Sequence, residues 1–175
     1  KQTNVFLIGP MGVGKSTIGR MLAAALHKPF LDSDREIEAV TGADIPWIFD
    51  VEGESGFRVR EERMIDTLSA QDGIVMATGG GAILSAVTRQ HLKQRGTVVY
   101  LKASIAQQFE RTSKDRNRPL LQTADPLARI KELMAIREPL YLETADLIIE
   151  TSRRGPRPVV NEIVNRLKTD GNETR

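Results

Sequence analysis

No cysteine occurs anywhere in the 175 residues. That excludes disulfides, thiolate metal sites and cysteine nucleophiles, and it suits a reducing compartment, so a cytoplasmic location is expected. Aromatic residues are scarce, with one Trp, two Tyr and five Phe, too few to build stacking platforms for bases. A formal net charge of +2 is likewise too small to imply a nucleic-acid partner. No apolar run approaches the ~20 residues of a membrane span, and the N-terminus lacks the basic-then-apolar layout of a signal peptide. Internal repeats, linkers and low-complexity tracts are also missing. The length fits one domain with a full core, and no apolar stripe is left over for self-association, so a monomer is expected.

What is present begins with Gly9 to Ser16, GPMGVGKS, which fits the phosphate-binding loop pattern G-x-x-x-x-G-K-[ST]. The loop lies between a short apolar run, Val5 to Ile8, and apolar residues at helical spacing, Ile18, Met21, Leu22 and Leu26. A buried strand therefore feeds a helix. Gly9, Gly12 and Gly14 let the backbone curl its N–H groups inward, and the helix N-terminus adds partial positive charge at the same point. Lys15 supplies a cation for the β- and γ-phosphates, and the Ser16 hydroxyl a ligand for Mg²⁺.

Apolar runs at Phe30-Leu31, Ile74 to Ala77, Val98 to Leu101 and Leu147 to Ile149 read as further buried strands. Helical patterns separate them: a polar helix with Ile37 and Val40 inward, Ile45 to Val51, Arg58 to Leu68 with Val59, Met64, Ile65 and Leu68 on one stripe, Val87 to Arg95, Ser104 to about Arg111, a helix opened by Pro126, and Pro158 to Leu167. Gly53 and Gly56 break the chain before Phe57, and Thr169 to Arg175 is expected to fray. Alternating strands and helices predict an α/β fold, a parallel five-stranded sheet with helices on both faces and the site at the carboxyl ends of the strands.

Three further segments carry chemistry, each beside a plainer explanation. In Asp32-Ser33-Asp34, Ser33 with Glu36 makes a capping box. The position at a strand end beside the phosphate loop equally suits one carboxylate that orients Mg²⁺ through water and a second that accepts a hydroxyl proton. Thr78-Gly79-Gly80-Gly81 is either a tight turn or a surface on which a small ligand meets backbone N–H groups. Arg58 and Arg137, each placed at a helix edge, are either surface arginines or a clamp for an acidic substrate. Between them, Arg111, Lys114, Arg116 and Arg118 fall in eight residues without an apolar side chain, a solvated loop or a lid over a triphosphate.

Taken in order, these motifs resemble the shikimate kinases. The match runs from Val5 to about Leu167 and adds Thr41-Gly42, Ile48-Phe49, Glu52-Gly53-Glu54, Gly56-Phe57-Arg58 with Glu61, Arg118-Pro119-Leu120-Leu121 and Arg137-Glu138-Pro139-Leu140-Tyr141. The resemblance implies a phosphate-loop NTPase-type fold of the nucleoside monophosphate kinase kind. It comprises one domain over residues 1–168, a substrate-binding helical region at about 33–61, a lid from Thr112 to about Ala124 and a flexible tail at 169–175. It implies ATP-dependent phosphorylation of the 3-hydroxyl of shikimate with Mg²⁺.

Carried over by position, Gly12, Val13, Gly14, Lys15, Ser16 and Thr17 hold the nucleotide phosphates, Ser16 and Asp32 serve the metal, and Asp34 binds substrate hydroxyls and acts as base. Arg58, Arg137 and the Gly79, Gly80 and Gly81 backbone receive the shikimate carboxylate, with Glu61 orienting Arg58 and with Phe49 and Phe57 walling the ring. Arg118 closes on the phosphates, and Arg111 with Pro156 sandwiches the adenine. Two other readings fit part of the pattern: a kinase for gluconate or a nucleoside monophosphate, and a nucleotide-binding module without transfer. The full set of Lys15, Ser16, Asp32 and Asp34 argues against the second.

Overall fold

A computed structural model describes residues 3–113 and 123–173, with side chains to residue 170. In chain order the elements are β1 (Asn4–Ile8), α1 (Lys15–Leu26), β2 (Phe30–Asp32), α2 (Ser33–Thr41), α3 (Ile45–Ser69), β3 (Val75–Ala77), a 3₁₀ turn (Ala82–Leu84), α4 (Ala86–Arg95), β4 (Gly96–Lys102), α5 (Ile105–Thr112), α6 (Pro126–Thr144), β5 (Leu147–Glu150) and α7 (Pro156–Glu173). The five strands form one parallel sheet in the order β2-β3-β1-β4-β5. Val5 registers with Val75 on one side and Thr97 on the other. The chain thus leaves β1 for one edge of the sheet and later returns past it to the other, which makes the carboxyl end of β1 a switch point where ligands bind.

Every residue of β1 is buried, the mark of a central parallel strand covered on both faces. Its side chains alternate. Val5 and Leu7 enter a core with Leu22 of α1, Val99, Ile149, and Val159 and Ile163 of α7. Phe6 and Ile8 enter a second core with Ile65 of α3, Leu92 of α4, Tyr100 and Tyr141 of α6. One sheet thereby holds two layers of helix, and the loop after β1 emerges between them.

Two expectations about helix faces need correction. Val40 is 73% exposed and Val59 51% exposed. The buried stripe of α3 is Phe57, Glu61, Ile65 and Leu68, so a glutamate takes the place assigned to an apolar residue. Gly53 does interrupt α3, with φ 73° and ψ 176°, whereas Gly56 stays helical. At the end of the chain, α7 begins two residues earlier than the pattern indicated and runs on to Glu173. Its last turns lack the apolar residues that mark a packed helix, which is why periodicity stopped at Leu167.

At the amino end of β1, opposite the loop, buried Asn4 ties three connections together. Its Nδ2 donates to the carbonyls of Ser69, Gln71 and Arg95, and its Oδ1 accepts from the Ile74 N–H.

Candidate active site

The loop after β1 enters α1 through Gly14, whose φ of 87° is left-handed, and no side chain caps that helix. Its first amides are left for a ligand, and the helix dipole favours an anion there. Val13 is fully buried and anchors the loop. Lys15 bends back so that Nζ donates to the carbonyls of Gly9 at 2.6 Å and Pro10 at 2.8 Å.

Ser16 Oγ donates to Asp32 Oδ2 at 2.6 Å, while Asp32 Oδ1 accepts from the N–H groups of Asp34 and Arg35 at 3.0 and 3.3 Å. The capping box expected around Ser33 therefore does not form. An N-cap needs extended backbone, and the last extended residue is Asp32 (φ −118°, ψ 117°). Ser33 is already inside α2, buried, with its hydroxyl lacking a hydrogen-bond partner. One carboxylate thus both starts α2 and holds the loop serine.

A hydroxyl and a carboxylate at this separation are hard oxygen donors, the kind Mg²⁺ takes. Among the described residues no group of three or more His, Cys, Asp or Glu is arranged to hold a metal, so these residues do not form a cage of their own. That is normal for a Mg²⁺ ion carried largely by phosphates and water.

These groups line a cleft of about 340 Å³ with Gly12, Gly14 and Thr17, bounded on the far side by Asp34, Gly79 and Gly80. Arg111 overhangs it, with one guanidinium nitrogen 3.4 Å from where a Cβ on Gly14 would stand. The same arginine borders a larger cleft of about 900 Å³ lined by Ser104, Gln107, Ser152, Arg153 and Gly155. Pro156 follows directly as the exposed first residue of α7. Arg118 lies outside the described residues, as do Lys114, Arg116 and most of the expected lid.

The glycine run after β3 is more than a turn. A Cβ on Gly79 would stand 2.8 Å from Glu61 Oε2 and 3.0 Å from Asp34 Oδ1; on Gly80, 3.5 Å from an Arg137 nitrogen; on Gly81, 2.6 Å from Arg58 Cζ. At Gly79 and Gly81 the missing side chain is the space that charged groups from α2 and α3 occupy, while at Gly80 Arg137 of α6 lies at ordinary contact distance. Asp34, Arg58, Glu61 and Arg137 thus meet along three consecutive backbone units.

Arg58 Nη1 donates to Glu61 at 2.8 Å and Nη2 to Glu54 at 3.4 Å. Glu61 is 3% exposed, and that burial pushes its carboxyl above the usual range although Arg58 pulls it back. Arg137 is not at a helix edge, as the sequence reading had it, but deep in α6 and 3% exposed. Burial lowers its guanidinium below the ordinary value, and among the described residues no carboxylate lies within 4 Å of it. A buried cation so placed is suited to an incoming anion. Phe49 and Phe57 pack with centroids 5.0 Å apart, beside Arg58. Tyr141, to which the sequence reading gave no task, donates to the Gly80 carbonyl at 2.5 Å; its place four residues after Arg137 on a helix was the available signal.

The shikimate kinase family model matches residues 11–168. A shikimate kinase of Pseudomonas syringae pv. tomato is 62% identical, over 94% of this chain and 95% of its own length. One from Pseudomonas aeruginosa is 58% identical over 94% and 96%. Among solved structures, shikimate kinase from Acinetobacter baumannii in complex with shikimate superposes with a TM-score of 0.95 at 48% identity, covering 97% of this chain and 95% of that one. Agreement of that extent, across sequence and fold alike, makes this chain a member of the shikimate kinase family.

Proposed function

We propose that the protein transfers the γ-phosphoryl group of ATP to the 3-hydroxyl of shikimate, giving shikimate 3-phosphate and ADP. The observation that carries this reading is the convergence of Asp34, Arg58 and Arg137 on the glycine run at the border of the phosphate-loop cleft. It pairs a carboxylate with a site for an anion, as a hydroxylated carboxylic acid requires.

In this reading the amides of Gly12 to Thr17 and the Lys15 ammonium hold the triphosphate. The larger cleft takes the adenosine, with Arg111 and Pro156 about the base. Ser16 would hold Mg²⁺ directly and Asp32 through water, and the ion would supply charge neutralisation on the β- and γ-phosphates. Arg58, Arg137 and the glycine backbone hold the substrate carboxylate, and Phe49 and Phe57 wall its ring. Asp34 orients the 3-hydroxyl and accepts its proton as that oxygen bonds to the γ-phosphorus and the bond to the ADP oxygen breaks. Lys15, and Arg118 from the lid, meet the charge that spreads over the transferring group, and a closed lid keeps water from competing.

The reading takes the chain as a monomeric cytoplasmic enzyme acting on these two small molecules, without nucleic acid. The lack of cysteine and the small net charge support it, and among the described residues no helix is long and apolar enough to cross a membrane.

The test is ADP release from MgATP with and without shikimate, with gluconate and AMP as control acceptors. Release that requires shikimate is expected. Tight ATP binding without release for any acceptor would overturn the reading in favour of a non-catalytic nucleotide-binding module.

A further inference from the structure

We propose that the Tyr141 hydroxyl is a positioning group for the carboxylate end of the substrate, acting on the glycine run and on Arg137 together; this rests on the reading of the site as a shikimate-binding one. Tyr141 is wholly buried. Its hydroxyl donates to the Gly80 carbonyl at 2.5 Å, and Arg137, one helical turn earlier on the same face of α6, is its electrostatic neighbour. Its ring stacks on Tyr100 with centroids 4.9 Å apart, and the Tyr100 hydroxyl in turn donates to Glu138. The phenol is therefore held at both its face and its tip.

The Gly80 bond has a directional effect. No peptide among the described residues is cis, and in a trans peptide the C=O of one residue and the N–H of the next point in opposite directions. Pinning the Gly80 carbonyl toward α6 therefore turns the Gly81 N–H away from α6. The Ala82 N–H donates to the Gly79 carbonyl and closes a turn around that peptide, but three successive glycines offer no side chains with which to fix its plane further. Tyr141 holds it from outside the loop.

The need is sharpened by Pro139. It lies inside α6 between Arg137 and Tyr141 and removes a backbone hydrogen bond from the turn that carries both. The hydroxyl bond to Gly80 ties that weakened turn to the loop it faces. Burial raises the phenol's pKa well above the ordinary tyrosine value, so it remains a proton donor at every working pH.

Tyr141→Phe deletes the hydroxyl and keeps the ring and its stacking. Kinetics with shikimate and MgATP are expected to show KM for shikimate raised about tenfold, the loss of one buried hydrogen bond with its orienting effect, with kcat and KM for ATP within about twofold of the parent. Tyr100→Phe is the comparator, since it removes the other hydroxyl of the stacked pair, which does not touch the glycine run; its KM for shikimate should stay at the parent value. An unchanged shikimate KM in Tyr141→Phe overturns the proposal. So does a joint fall in kcat and both affinities, a failure of that variant to fold, or an equal effect of Tyr100→Phe, because each assigns the hydroxyl to core stability instead. A parent protein inactive toward shikimate would refute the functional reading itself, which keeps the two failures distinct.

Discussion

At the scale of single residues, the proposed reading gives Lys15 a role on the transferring phosphoryl group, Arg58 and Arg137 a role in holding the acceptor, and Asp34 a part in both. Lys15→Ala or Asp34→Asn is expected to lower turnover by at least ~10²-fold, because each acts mainly in the transition state; circular dichroism should show the fold retained. Arg58→Ala should weaken shikimate binding by about 2–5 kcal/mol with little change for ATP, read by titration with each ligand. Gly81→Ala should resemble it, since the new Cβ would fall on the Arg58 guanidinium. That side chain can swing aside, so the thermal midpoint should hold while the shikimate KM rises. Glu61 gives a pH signature. Burial raises its folded-state pKa, so the folded protein holds this proton more tightly than the unfolded chain. Stability from this group is fully present below the unfolded pKa of ~4.3 and is lost as pH rises through the folded value. The midpoint of Glu61→Gln relative to the parent should therefore climb from about pH 4 toward neutrality, and a difference independent of pH would refute the assignment. Lys15 and Ser16 were legible because a phosphate loop fixes residue type at set positions, and Asp34 stood out because it follows a strand expected to end beside that loop. The burial of Arg137 and Glu61 was not legible, because reading by hydrophobic periodicity places charges outside and has no means of seeing that the cavities they fill are left by glycines on another element.

At the scale of elements, the strands were readable because a doubly covered parallel sheet needs continuous apolar runs, and all five appear. Helix faces were less so. Val40 and Val59 are apolar but lie on the outer sides of α2 and α3, and the inward position on α3 went to Glu61 because the site needs a carboxylate there. Caps depend on backbone angles that sequence does not display, hence the shift of the α2 cap from Ser33 to Asp32. Elements are held at the far end of the sheet by Asn4, whose side chain satisfies four backbone groups. Asn4→Ala should cost about 3 kcal/mol by stranding those groups, seen as a lower urea midpoint, while kcat at a permissive temperature stays near the parent because the substitution lies at the opposite end of β1 from the loop.

At the scale of the whole molecule, both clefts open beside Arg111, one against the phosphate loop, α1 and α2, the other against α5 and the ends of β4 and β5. A nucleotide that fills them should stabilise the entire domain. ADP at 100 times its Kd should add about 2.7 kcal/mol, which for a chain of this length corresponds to a midpoint about 5–10 °C higher; a flat scan would mean that ADP does not bind the folded domain. The location of the clefts was legible from strand–helix alternation and the switch-point rule, whereas their sharing of one arginine was not, since α5 and the phosphate loop are nearly a hundred residues apart in sequence. The resting position of Lys15 adds a last consequence. With its ammonium seated on the carbonyls of Gly9 and Pro10, the loop has a built-in occupant, and nucleotide arrival is an exchange of partners in place of a simple addition. An anion that draws the ammonium away must outcompete both carbonyls, and the attraction grows with the charge it brings, so the loop favours a triphosphate over an oxyanion of lower charge before the adenine is read at all.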